Sequence, residues 1–441
     1  MNVGRRSICR GFALAGGLVL SAVAVAACGG GGGSSSSAQS QGPVPEPTKP
    51  TTVTFESWVG DSVTMKKLAK QFEKLHPMIT VKFENVSADT ATTKLQTEIA
   101  GGTAPDVVYM DSGQVSNFAA RDALLNLQNF ISRTPSLGVN DFLPAWRASA
   151  TYKGAMYGLP FDGETTGLFY RTDLFRAAGI TSPPTTWSEF QADAAKLTIP
   201  SKKQYGFVIF GPESAYYWYP WLYQAGGQLL TDNNKKIAFD SPAGIKAADF
   251  FIGLRKYSPP DFYNSNSWDG RVTFATGKVA MYEAGAWFAG TMQGEFPKIN
   301  GKWAVAPLPQ DQKCATTIAG DTLVIMRQSK NADAAWKWIT FLTSPKNMAY
   351  WNVGTKASSL LPPRASLINN PGQTFKKNPV LKGFANMMKC GITTNLSNPA
   401  WPKVENDLNN EFSKAIYGKE TPAQALANAA KEGQGALAQG A

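Results

Sequence analysis

Val53-Thr54-Phe55, then Met65, Leu68, Phe72 and Leu75, then Ile79-Thr80-Val81-Lys82-Phe83, and finally Pro105-Asp106-Val107-Val108-Tyr109-Met110 decide the fold class of this chain. The first run is a short strand of β-branched and aromatic residues that ends at Trp58. The second repeats at helical spacing, with Asp61 or Ser62 placed to cap it and Pro77 to stop it. Ile79, Val81 and Phe83 alternate as a strand does. A second helix is expected around Ala91–Ala100, and Pro105–Met110 has the unbroken apolar character of a buried strand. Strand, helix, strand, helix, strand builds a parallel sheet covered by helices, so the fold class is α/β. Ligands of such sheets lie just past the carboxyl ends of strands. Trp58 and Asp111 stand at two of those ends.

The amino-terminal 50 residues have another purpose. Arg5, Arg6 and Arg10 precede an apolar run from Phe12 to Ala27 that closes on Val25-Ala26-Ala27-Cys28. A basic head, an apolar middle and small residues before a boundary make an export signal, residues 1–27. At ~16 residues the run is short of the ~20 that span a membrane. Small residues ending at a cysteine resemble the lipobox of bacterial lipoproteins, which implies cleavage before Cys28 and lipid on that cysteine. Arg5-Arg6-Ser7 also resembles a twin-arginine signal, so the general and the twin-arginine routes both stay open. Residues 28–50, glycine- and serine-rich and then proline-rich, cannot bury a core and are expected to be a disordered linker.

About 390 residues remain, more than one core usually holds, so two lobes are expected. The net charge is +11, three of which belong to the signal arginines. The lysines are scattered, whereas nucleic-acid binding needs them clustered; mild basicity suits a position near anionic lipid. Cys314 and Cys390 either pair in an oxidising compartment or remain two buried thiols. His76 is the only histidine, which removes zinc hydrolase chemistry, and no metal or cofactor is expected. No Cys-x-x-Cys, Gly-x-Ser-x-Gly or Gly-x-x-x-x-Gly-Lys occurs. Asp111, Asp162 and Glu164 beside aromatics invite comparison with a glycosidase pair, but nothing in the sequence supplies the required spacing or protonation, and an enzyme is not expected.

Several ordered segments resemble the extracellular solute-binding proteins of the maltose-binding type (family 1). They begin with Gln71-Phe72-Glu73-Lys74, Pro77 and Gly102-Thr103-Ala104-Pro105-Asp106-Val107-Val108. Gly154-Ala155-Met156-Tyr157-Gly158-Leu159-Pro160, Gly167-Leu168-Phe169-Tyr170-Arg171-Thr172-Asp173-Leu174-Phe175 and Pro183-Pro184-Thr185-Thr186-Trp187 follow. Phe274-Ala275-Thr276-Gly277-Lys278-Val279-Ala280-Met281, Ala306-Pro307-Leu308-Pro309 and Ile416-Tyr417-Gly418-Lys419 complete the set. The resemblance covers residues 52–432. It implies a two-lobe clamp of α/β lobes, with residues 51–162 and 316–364 in lobe 1 and residues 163–315 and 365–441 in lobe 2. It further implies a monomer on the outer face of the cell membrane that captures a carbohydrate and delivers it to the permease of an ATP-binding-cassette importer. The chain would cross between lobes near Pro160–Gly163, Cys314–Gly320 and Leu361–Arg364.

A sugar offers hydroxyls to carboxylates and amides, and C–H patches to aromatic faces. The chain has 12 Trp and 14 Tyr, densest at Tyr216-Tyr217-Trp218-Tyr219-Pro220-Trp221, where side chains diverge too much to share one core. On the family pattern Tyr216 and Tyr219 line the ligand, Glu164 accepts its hydroxyls and Trp287 stacks on it. Asp162 is either a ligand or a hinge residue, and Asp111 either a ligand or a helix cap. Trp58, Asp321 and Trp401 complete the candidates. Arg364 is read as holding a hydroxyl, a phosphate or a neighbouring carboxylate; with a phosphate there, the ligand would be a sugar phosphate or glycerophosphodiester. Arg171 and Met78 depart from the family pattern and are expected at the surface.

Overall fold

The computed structural model describes residues 42–209, 214–260, 270–354, 359–394 and 398–439. The expected signal, Cys28 and the linker up to residue 41 lie outside them. Strands β1 (Thr51–Ser57), β2 (Ile79–Asn85) and β3 (Val107–Asp111) alternate with helices α1 (Val63–Leu75) and α2 (Ala88–Gly101). β1 runs parallel to β2 from Thr51↔Ile79 to Ser57↔Asn85, and parallel to β3 at Phe55↔Val107. Ser62 is the cap of α1, accepting from Met65 N at 3.1 Å. Met65, Leu68, Ala69 and Phe72 form its buried stripe. Leu75, read as part of that stripe, is the last residue of the helix and is 66% exposed.

Five further strands complete an eight-stranded sheet: β4 (Gly158–Arg171), β5 (Met281–Gly285), β6 (Trp303–Ala306), β7 (Thr316–Ile325) and β8 (Gly391–Thr393). The order is β6-β4-β7-β3-β1-β2, with β8 on β7 and β5 on β4. β4 is shared. Its first half pairs antiparallel with β7, from Gly158↔Val324 to Thr165↔Ile318, and its second half pairs with β5 and β6. It therefore supplies Leu159 and Phe161 to one hydrophobic core, with Val53, Phe72, Leu323 and Trp338. It supplies Leu168 and Phe169 to another, with Trp218, Trp221, Phe288, Phe384 and Phe412. β3 is buried on both faces because Val107 and Tyr109 face the first core while Val108 and Met110 face a smaller cluster around Phe118.

The chain passes between the cores where backbone touches backbone. Gly163 is the register partner of Gly320, and Leu361 N donates to Gly163 O at 2.6 Å. A Cβ on Gly163 would lie 2.2 Å from the Trp146 ring, and one on Gly320 (φ +154°) would lie 2.2 Å from Asp162 O. Only glycine permits this approach. The three segments expected at the crossings thus meet at one place.

Two expectations are corrected by packing. The end of the linker is ordered: Val44 is buried against the first core, Glu46 lies 3.0 Å from His76 Nδ1 and 2.9 Å from Lys337 Nζ, and Arg133 donates to Gly42 O. These partners lie far along the sequence, so composition gave no sign of them. Arg171 is buried, not at the surface. It donates to the Asp173 carboxylate at 2.9 and 2.8 Å and to the carbonyls of Phe274 and Ala275. Met78 is half-buried. Among the described residues no helix is long and apolar enough to cross a membrane.

Cys314 and Cys390 form a disulfide that joins the segment entering β7 to the one entering β8. In chain-entropy terms, closing a loop with a sequence separation of 76 is worth about 4.5 kcal/mol. Reduction is expected to lower the unfolding free energy by a large part of that while leaving ligand affinity within a factor of ten. Denaturant melts and titrations with and without reductant check it, and a larger loss of affinity contradicts it.

Glu283 on β5 is buried in the second core with Trp221 Nε1 3.0 Å from its carboxylate. Burial pushes its pKa from 4.5 up to about 8, against the indole donor, which pulls it down. The native state then holds the proton more tightly than the unfolded chain. The resulting stability is fully present below the unfolded value and is lost as pH rises towards about 8, with a slope of up to ~1.4 kcal/mol per pH unit. Glu283→Gln keeps an acceptor for Trp221 and should flatten that slope in denaturant melts across this range. An unchanged slope assigns the pH dependence to other groups.

Candidate functional site

The carboxyl ends of β1 and β3 open into a cleft of about 390 Å³. From the first-core side it is lined by Trp58, Tyr109, Asp111 and the opening turns of α2, including Asp89 and Thr92. The facing wall carries Tyr216, from the first turn of helix α3 (Ser214–Gln224), and Trp401 and Glu405, one turn apart on helix α4 (Trp401–Ile416). Residues at i and i+4 share a helix face, which is why Trp401 and Glu405 enter the cleft together. The Trp58 ring meets Tyr109 edge-on with centroids 4.6 Å apart. Asp111 is open to the cleft and accepts from Gly113 N at 2.6 Å, so it caps the short turn that follows β3; the surrounding protein still raises its pKa.

Beneath Tyr109 lie two carboxyls. Its hydroxyl is 2.7 Å from both Asp162 Oδ2 and Asp321 Oδ2. These aspartates are register partners on β4 and β7, next to a β-bulge at Asp321/Thr322. One phenol proton cannot serve two carboxylates, so the group is complete when one carboxyl keeps its own proton. That one is Asp321, raised well above the ordinary range by burial and then by the Asp162 and Asp111 charges. Burial also raises Asp162, opposed by Trp351 Nε1 at 3.0 Å and the Tyr109 hydroxyl. Asp162 is fully buried and Asp321 half-buried, and neither is among the residues that line the cleft; both sit on the paired strands β4 and β7.

Glu164, the next carboxylate along β4, accepts from the Tyr216 hydroxyl at 3.2 Å. A Cβ on Gly285 would lie 1.7 Å from Glu164 Oε2 and 2.8 Å from Trp287 Cδ1, so the bare backbone of Gly285 is what lets that carboxylate and indole approach. Trp287 begins its helix with 36% of its surface exposed. Glu164, Tyr216 and Trp287 thus form a second cluster continuous with the cleft through Tyr216.

Tyr219 and Arg364 are elsewhere. Tyr219 is fully buried in the second core and donates to Glu405 Oε1 at 2.7 Å, so it supports a cleft carboxylate from behind. Arg364 is 1% exposed and donates to the carbonyls of Thr343, Gly138 and Leu137 and to Asp141 at 3.2 Å, over the Phe142 ring. It holds a neighbouring carboxylate. Sequence reasoning missed Tyr109, Asp89 and Glu405. Glu405 was accessible to it, four residues beyond Trp401. Away from the cleft, Glu56, Glu84 and Glu98 group closely, with Lys94 already donating to Glu56 and Glu98.

The sequence profile of the bacterial extracellular solute-binding proteins matches residues 57–349. A solute-binding protein of an ABC transporter from Thermotoga lettingae, solved with α-D-tagatose, has a TM-score of 0.79 and 28% identity, covering 88% of this chain and 100% of that one. The maltose-bound MalE3 of T. maritima gives 0.76 and 25%, covering 87% and 99%. An uncharacterized lipoprotein of Streptomyces antibioticus is 27% identical over 319 residues, 69% of either chain.

Replacing Arg364 with Met removes the donor from Asp141 and three carbonyls. The expected loss is about 3 kcal/mol of stability, with ligand affinity of the folded protein within about twofold because the site is distant. Chemical denaturation and calorimetric titration test this, and an affinity loss in fully folded protein would return Arg364 to the site.

Proposed function

Because the chain belongs to the bacterial extracellular solute-binding proteins, we propose that it captures a sugar, polyol or short oligosaccharide in this cleft and passes it, chemically unchanged, to an ABC importer. The observation that carries the reading is that facing walls present aromatic faces with carboxylates beside them: Trp58, Tyr109 and Asp111 from one, Tyr216, Trp401 and Glu405 from the other. Aromatic rings take the C–H faces of a sugar and carboxylates take its hydroxyls. A ligand reaching both walls favours the closed arrangement, which is how a clamp reports occupancy. Residues 51–162 and 316–364 form one lobe and residues 163–315 and 365–441 the other, rotating about Gly163, Gly320 and Leu361. Lipid on Cys28 tethers this monomer to the outer face of the cell membrane, and the likeness to a lipoprotein supports that reading. The phosphorylated-solute alternative loses the residue it relied on, because Arg364 is committed to Asp141 and backbone carbonyls.

The test is a thermal-shift panel of sugars, polyols and sugar phosphates on the protein lacking its signal segment. A ligand at ~100 times its Kd adds about 2.7 kcal/mol, which Trp58→Ala or Trp401→Ala should abolish. Stabilisation by phosphorylated compounds alone, or silence from folded protein, overturns the carbohydrate assignment. Cys28→Ala should free the protein from membranes, and unchanged attachment refutes the lipid anchor.

A further inference from the structure

The carbohydrate reading leaves the class of sugar open, and resting on it we infer that the ligand carries a protonated amine: an amino sugar or aminated glycoside. The cleft is acidic in a basic chain. Lys and Arg number 43 against 32 Asp and Glu, yet among the described residues the charged side chains lining the cleft are Asp89, Asp111 and Glu405, all negative. They come from three separate elements, α2, β3 and α4, so their convergence is a property of the cleft and not of one local sequence. Glu164 adds a fourth carboxylate behind Tyr216, and Asp321 lies beneath Tyr109.

Hydrogen-bond polarity agrees with charge. A neutral hydroxyl both donates and accepts, so a neutral-sugar site needs donors as well as acceptors. Here the phenols point their protons at carboxylates: Tyr109 at Asp162 and Asp321, Tyr216 at Glu164, Tyr219 at Glu405. Each bond holds an acceptor in place. Thr92, Gln114 and Thr394 in the lining can both donate and accept, but every charged group there only accepts, and an ammonium, with three donors and no acceptor, is the complement of those. The half-buried rings of Trp58 and Tyr216 in the lining give that charge aromatic surface as well.

Calorimetric titration of the mature protein with matched pairs tests the inference: glucose with glucosamine, galactose with galactosamine, mannose with mannosamine, and cellobiose with deacetylated chitobiose. In at least one pair the amine should bind about tenfold or more tightly than its neutral partner at low salt. That ratio should shrink as salt screens the charges and as pH rises past the pKa of the amine. Asp111→Asn and Glu405→Gln should each narrow the ratio, with circular dichroism checking that they fold. If every pair that binds does so with equal affinity, or prefers the neutral member, the inference falls and the carbohydrate reading stands. If no member of any pair binds to folded protein, both fall.

Discussion

Everything in this molecule hangs on the antiparallel ladder between β4 and β7. Two hydrophobic cores have to be built on one chain, and the same two strands supply both. Strand residues alternate faces, so a shift of one residue in this pairing would turn Leu159 and Phe161 away from one core and displace Leu168 and Phe169 from the other. The register is over-determined from both ends. At the middle the ladder carries Gly163 opposite Gly320, with Trp146, a member of the second core, closed over Gly163 and donating to Ala319 O at 2.8 Å. The crossing thus combines close backbone contact, the Trp146 indole and the Tyr109 hydroxyl between Asp162 and Asp321.

Buried charge is handled by a consistent local chemistry. The buried carboxyls at Asp162 and Glu283 are met by indole or phenol donors, not by cations. The buried guanidinium groups of Arg171 and Arg364 are met by backbone carbonyls and one aspartate each. A neutral donor stabilises a carboxylate less than a cation does, so burial prevails and the carboxyls hold their protons more tightly. A guanidinium cannot release its proton and needs its donors filled, which carbonyls at chain ends and turns do well. Arg171 thereby ties the end of β4 to Phe274 and Ala275, and Arg364 ties the third crossing segment to the loop at 137–141.

The α/β class and the order of elements from Val53 to Asp111 were legible because apolar spacing changes period between strand and helix. The crossings came from family likeness, since nothing in the composition near Gly163 or Leu361 marks them. Tyr216 and Tyr219 show where spacing stops being informative. Nearly every residue of α3 is apolar or aromatic, so no polar stripe marks its solvent side, and only the fold decides that Tyr216 faces the cleft while Tyr219 enters the core. Arg171 and the residues around Val44 were misjudged, and Arg364 was left among three readings, for one reason. Their partners, Asp141, Phe274 and Lys337, are brought near by tertiary structure alone. Tyr109 was hidden differently, as one member of a run that reads as wholly buried.

Tyr109 is also where the cleft meets the paired strands β4 and β7. Its ring stands in the cleft wall against Trp58, and its hydroxyl lies between Asp162 on β4 and Asp321 on β7. A ligand seated on Trp58 and Asp111, as proposed, would change the surroundings of the phenol that bridges β4 and β7. A neighbouring positive charge would lower the cost of ionising Asp111 and Asp321. With Asp321 ionised, the single phenol proton would have two carboxylates to satisfy, and the bridge would favour one strand over the other. Ligand binding and the geometry of the crossing are then linked through one proton. Such linkage shifts a population only as far as the ligand binds the two arrangements differently, so the strength of the coupling is set by how unequally Asp162 and Asp321 hold the Tyr109 hydroxyl in each.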